Sequence, residues 1–183
     1  VVVGRAGAVD PPEGLVRAYN LDSTAAAADA PVAADGSFEA ALSIAPGDAV
    51  RLEVIGLAAS SGPSDLVVAE VGAPLEPVAS PLGDCLAIEP GGLLWVEPGA
   101  GGLIRVQDTC GVGIELSAPR PRTEADRLEV GAELDWPLAL QRGVPVDLAV
   151  RILSGEPGDE YLFFIEATAP EAERRAVSVR LED

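Results

Sequence analysis

Val32-Ala33-Ala34-Asp35-Gly36-Ser37-Phe38-Glu39-Ala40-Ala41-Leu42 decides the fold class of this chain. Asp35-Gly36 is a turn pair set between two apolar stretches, and Phe38, Ala40 and Leu42 recur at every second position. A two-residue hairpin turn of type I′ needs positive φ at both central residues, which Asp-Gly accepts readily. The reading is therefore a β-hairpin. Pro46-Gly47-Asp48 makes the next turn, and Val50-Arg51-Leu52-Glu53-Val54 alternates strictly. Val50, Leu52 and Val54 should share one buried face.

The same style runs outward in both directions. Val1-Val2-Val3 and Leu15-Val16-Arg17-Ala18-Tyr19-Asn20 read as strands, as does the apolar run at residues 66–71. Residues 21–30 carry an alanine run with helical propensity. About ten residues are too few for a self-standing helix, so a loop or a single turn is expected. Pro74, Pro77 and Pro81 then fall close together. Closely spaced prolines favour an extended, semi-rigid connector. The expected organisation is one β-sandwich over residues 1–73, a connector at 74–82 and a second sandwich over 83–183.

The second half repeats short apolar runs between turns. Strands are expected at Leu86-Ala87-Ile88, Leu93-Leu94-Trp95-Val96, Leu103-Ile104-Arg105-Val106, Val112-Gly113-Ile114-Glu115-Leu116 and Leu138-Ala139-Leu140, then at residues 144–153, 161–168 and 176–181. Residues 120–126 read as a polar loop, with one helical turn from Thr123. Eight short strands at such spacing indicate an antiparallel sandwich. Gly and Pro together supply 20 and 16 of 183 residues, which leaves little room for long helices.

Composition narrows the function. The chain has no His, no Met and no Lys; all twelve cations are Arg. The usual general base and the amine nucleophile are missing, so the Ser, Asp and Cys side chains lack a partner to activate them. The pairs Asp108 with Glu115, and Glu89 with Glu97, could be drawn as a carboxylate dyad, but thirty acidic residues make chance pairs common. The expectation is a non-enzyme with no cofactor and no metal. A formal charge of −18 repels phosphate backbones and anionic lipid, which speaks against nucleic-acid partners. No D-x-[DN]-x-[DN]-G calcium loop is present, and no apolar run is long enough to span a bilayer as a helix. The glycine-rich Glu97-Pro98-Gly99-Ala100-Gly101-Gly102 lacks the Lys-Ser/Thr of a phosphate cradle and reads as a hairpin loop.

Cys85 and Cys110 are the two cysteines. Without a C-x-x-C pair or a His, they read as a structural disulfide, which would place the protein outside the reducing cytosol. Two buried thiols in a cytosolic protein are the other reading. Such a bond would stabilise the fold by roughly 3 kcal/mol in the chain-entropy model. The chain opens on Val1-Val2-Val3-Gly4 rather than Met, so a processed mature chain or an excised fragment is expected. Trp95 sits in an apolar run and should be core. Trp136, in Leu134-Asp135-Trp136-Pro137, is the better candidate for an exposed aromatic contact.

Three stretches carry a family resemblance. Ala34-Asp35-Gly36-Ser37-Phe38 followed by Pro46-Gly47-Asp48 resembles the extracellular bacterial Ig-like and carboxypeptidase-regulatory-like repeats, over residues 1–72. Gly158-Asp159-Glu160-Tyr161-Leu162-Phe163 resembles the tyrosine corner of Ig-like domains, whose hydroxyl bonds to backbone just upstream. Phe163 stands where antibody domains carry a Cys, and Trp95 follows Cys85 too closely, so the likeness is to the wider Ig-like group. Residues 140–181 are similar to surface Ig-like modules of bacterial envelope proteins. The resemblance implies two tandem all-β Ig-like sandwiches that scaffold, adhere or present ligands.

The functional expectation is a non-catalytic extracellular or cell-surface structural protein, a subunit or module of a fibre, sheath or adhesin. Its partners would be proteins: its own copies or other surface proteins. Val1, Val2 and Val3 are the candidate intersubunit strand, able to complete their own sheet or add to a neighbour's edge. The alternative is a carbohydrate-binding or accessory module of a secreted enzyme, with a glycan as partner.

Overall fold

The computed structural model describes residues 1–56, 63–70, 72–97, 99–123 and 127–182. The fold is all-β and sandwich-like. The helical segment among the described residues is a single 3-10 turn at Gly83–Cys85. The chain divides into two compact units, Val1–Ala79 and Ser80–Asp183.

Unit 1 holds β1 (Val2–Gly4), β2 (Leu15–Asn20), β3 (Ala28–Pro31), β4 (Phe38–Ala40), β5 (Ala49–Ile55), β6 (Ser64–Val67) and β7 (Glu76–Pro77). A five-stranded antiparallel sheet runs in the order β3-β2-β5-β6-β7, and β1 pairs with β4 as a separate two-stranded sheet. Val16, Ala18, Ala30 and Val50 from the large sheet pack against Val2, Phe38 and Ala40 from the small one. Val50, Leu52 and Val54 belong to this core, as their alternation requires.

Three expectations change here. Residues 21–30 include β3, whose Val16↔Ala30 and Ala18↔Ala28 pairings on β2 override the helical propensity of the alanine run. The Asp35-Gly36 turn has positive φ only at Gly36. The Gly36 N–H donates to Ala33 O at 2.8 Å and the Ala33 N–H to Ser37 O at 2.8 Å, the pattern of a three-residue link with glycine as the bulge. The strands on either side of it, β3 and β4, lie in different sheets. β6 ends at Val67, with Val68 buried beyond it.

Unit 2 holds β8 (Leu86–Glu89), β9 (Leu93–Val96), β10 (Gly102–Asp108), β11 (Glu115–Leu116), β12 (Arg120–Pro121), β13 (Leu128–Val130), β14 (Leu138–Ala139), β15 (Val146–Ile152), β16 (Glu160–Ala169) and β17 (Glu173–Leu181). One sheet runs β13-β15-β10-β8. The other runs β14-β11-β16-β17-β9, with β12 also on β16. All ladders are antiparallel except β17 with β9, which is parallel through Ser178↔Leu93 to Leu181↔Val96. Ile104, Val106, Leu148 and Val150 face Leu116, Phe163, Ile165 and Val179 in one core.

Two strands of unit 2 depart from the sequence reading. Arg120–Pro121 is no loop: it pairs with Phe164 and Phe163. Leu128–Val130 pairs with Ile152, Arg151 and Val150. Residues 74–82 are shared between the units. Pro77 pairs with Leu66 of β6, and Leu82 is buried in the core of unit 2. The strand end at Val71, Pro98 of the glycine-rich loop and most of the turn after Thr123 lie outside the described residues.

Candidate functional site

The chemistry of this chain is concentrated at one end of unit 2, where β10 finishes. Asp108 is the last residue of β10 and is fully buried. Its carboxylate gathers the next turn. Oδ1 accepts the N–H groups of Cys110 at 3.1 Å, Gly111 at 2.6 Å and Val112 at 3.3 Å. Oδ2 accepts those of Gly113 at 3.0 Å and Ile114 at 3.4 Å. Successive N–H groups converge because Gly111 and Gly113 both adopt positive φ, at 76° and 81°. Burial disfavours the charge, but the N–H groups of Gly111, Gly113, Ile114 and Val112 outweigh it, so the carboxyl titrates below the usual range. A carboxylate held this way is an anchor for backbone, not a proton shuttle.

The disulfide lies on the same turn. Cys85 and Cys110 are bonded at 2.06 Å, with Cα atoms 5.0 Å apart. Thr109 places them: its N–H donates to Cys85 O at 2.9 Å and its hydroxyl to Asp84 O at 2.8 Å. The Gly143 N–H adds a bond to Asp108 O at 2.8 Å, bringing the turn before β15 to the same place.

Glu173 is a second buried carboxylate at this end, at the start of β17. It accepts the Leu82 N–H at 2.7 Å, the Ser80 hydroxyl at 2.8 Å and the Arg175 guanidinium. Burial again opposes ionisation, and Leu82, Arg175 and Ser80 outweigh it to hold the carboxyl low. Arg175 also donates to Ser80 Oγ at 2.8 Å and to Gly83 O at 2.7 Å.

The remaining sequence candidates are placed as follows. The Tyr161 hydroxyl donates to Ser154 O at 2.6 Å, bonding to backbone just upstream. Trp136 is half-buried against the core of unit 2, and its indole N–H donates to Gly131 O at 3.0 Å. Trp95, expected in the core, is 46% exposed. Strand alternation turns Leu94 and Val96 inward and the indole outward, where the Arg180 guanidinium lies 5.0 Å from its centroid. Val1 and Val3 are exposed and Val2 is buried, with Val2 paired to Ala40 of the same unit. Among the described residues no strand pairs the other edge of β1. Beside it, a cleft of about 910 Å³ is lined by Val2, Val16, Leu52, Leu66 and Leu75 among others.

Of the drawn acid pairs, Asp108 is committed to backbone, and Glu115 Oε1 faces the Thr168 hydroxyl at 3.3 Å. No group of three or more acidic or cysteine side chains is arranged to hold a metal among the described residues. No helix among them is long and apolar enough to cross a membrane. Asp108 was legible only as one acid among many. The signal was its spacing to two glycines, Asp108-Thr109-Cys110-Gly111-Val112-Gly113, which lets a carboxylate meet consecutive N–H groups. No protein-family model matches the chain, and no curated protein is found similar to it.

Proposed function

We propose that this chain is a non-catalytic structural module of a cell-surface or secreted assembly, acting through protein–protein contact as part of a fibre, sheath or adhesin. The Cys85–Cys110 disulfide carries the reading. Such bonds persist in oxidising compartments and are rare in the cytosol. Asp108 and Glu173 support it, since both buried carboxylates fasten backbone. The open edge of β1 and the apolar cleft beside it offer a place for a partner strand from a second copy or another surface protein. We read the two units as tandem Ig-like sandwiches; for unit 2 the Tyr161–Ser154 bond and the parallel β9–β17 pairing support this.

Electron microscopy of the native material, with non-reducing mass spectrometry of the same sample, tests the proposal. Filaments or a defined protein complex containing the oxidised chain are expected. Free thiols in a dispersed monomer would end it. The second reading, a carbohydrate-binding module, is favoured by one observation: the exposed Trp95 indole stacked by Arg180. Glycan binding abolished by Trp95→Ala would select it.

A further inference from the structure

The path by which Ser80 enters unit 2 and the strand by which the chain leaves it meet at one place. Ser80, Leu82 and Gly83 are all fastened to Glu173 and Arg175, the opening residues of β17. β17 then runs nine residues to Leu181, and Glu182 bonds onward to Val96. A pull on the chain ahead of Ser80 and behind Leu181 therefore reaches the two ends of a single strand. That strand is flanked by β16 and β9.

A second route lies behind the first. If the leading segment tears free, the pull next reaches Cys85. It then crosses to Cys110 through covalent sulfur and skips the residues between. Those residues are β8, β9 and β10: two strands of one sheet and one of the other. Past Cys110, the load meets the four bonds by which the N–H groups of Gly111, Val112, Gly113 and Ile114 are held on Asp108.

From this arrangement we infer that unit 2 carries tension along the chain, through a Glu173–Arg175 clamp backed by the disulfide. The inference rests on the reading of the chain as a module of a surface assembly and gives that module a mechanical task. The clamp is a polar fastening with charged partners, so its loss matters most when force is applied through it. The disulfide sets how far the unit can extend.

Single-molecule pulling of the full chain by its two ends tests the clamp. Glu173→Gln is compared with the unaltered chain at constant force. Arg175→Gln serves in its place if the first variant does not fold, since it removes the guanidinium bonds to Ser80 Oγ and Gly83 O and leaves Glu173 on Ser80 and Leu82. The variant should unfold unit 2 roughly tenfold faster or more. The same pair is then pulled between handles at Ala100 and Pro157, both exposed, a stretch that contains neither half of the clamp and so leaves it off the load path. There the two proteins should differ only as much as they do in thermal unfolding without force. Reductant should lengthen the unfolding step in end-to-end pulling by about 8–9 nm, at roughly 3.5 Å per residue, and lower the force it needs. An equal effect of the variant in both geometries, or none when pulled by the ends, overturns the inference. So does an unfolding force that reduction leaves unchanged. Native material that proves to be a dispersed monomer would instead defeat the surface-assembly reading, whatever the pulling shows.

Discussion

The hydroxyl of Tyr161 donates to the carbonyl oxygen of Ser154 at 2.6 Å, and Gly155 makes room for it. A Cβ on Gly155 would collide with that hydroxyl and with Leu181. The bond pins the turn before β16 to the strand it feeds. Tyr161→Phe keeps the ring and removes the donor, so unit 2 should lose about 1 kcal/mol in urea unfolding. Gly155→Ala should cost more, about 1–3 kcal/mol, because the ring itself must move.

Asp108 should prove far less replaceable than its exposed counterparts. Asp108→Asn puts an NH₂ group where N–H donors converge, at a cost of about 3 kcal/mol. The ion pair of Arg17 with Asp29 is half in solvent, with side chains 26% and 44% exposed. Asp29→Asn should therefore change stability by about 0.5 kcal/mol or less. Chemical denaturation of both variants measures the contrast.

Acid should unfold unit 2 through Asp108 and Glu173. Both carboxyls titrate lower in the folded protein than in the unfolded chain. Each therefore contributes stability that is complete above the unfolded values of about 4 and disappears as pH falls through the folded ones. Stability should be flat at neutral pH and fall below about pH 4. In Asp108→Asn the acid-dependent loss should be smaller, since one of the two groups is gone. An unchanged pH profile would refute the assignment.

Phe163 is fully buried on β16 in the core of unit 2. Phe163→Ala should cost about 3–5 kcal/mol. Calorimetry should show two transitions, with only one moved by this variant. One transition that shifts as a whole would mean the two units unfold as one.

How much of this could be read from sequence varied with the kind of signal. Alternation located β5, and it runs through β10 as well, whereas β2 and β16 showed themselves as short apolar runs between turns. The apolar run around Trp95 hid the same rule, and the expectation of a core indole fails: in a strand the residue between Leu94 and Val96 points the other way. The two-residue strand Arg120–Pro121 gave no such signal, because its place is set by register on Phe163 and Phe164. β3 was hidden by alanine, whose local preference yields to pairing with β2. The paired cysteines were readable from their number alone. The anchoring role of Glu173 was not, since its partner Leu82 lies 91 residues earlier.

The disulfide also changes what a cut in the chain would do. Cys85 and Cys110 close a covalent ring around β8, β9 and β10, and Gly99 and Ala100, between β9 and β10, are exposed. A protease that nicks there severs the backbone without parting the pieces. The nicked protein would gain only the mass of one water, and would separate into two fragments only on reduction. Damage at that turn would pass unseen on a non-reducing denaturing gel and show on a reducing one.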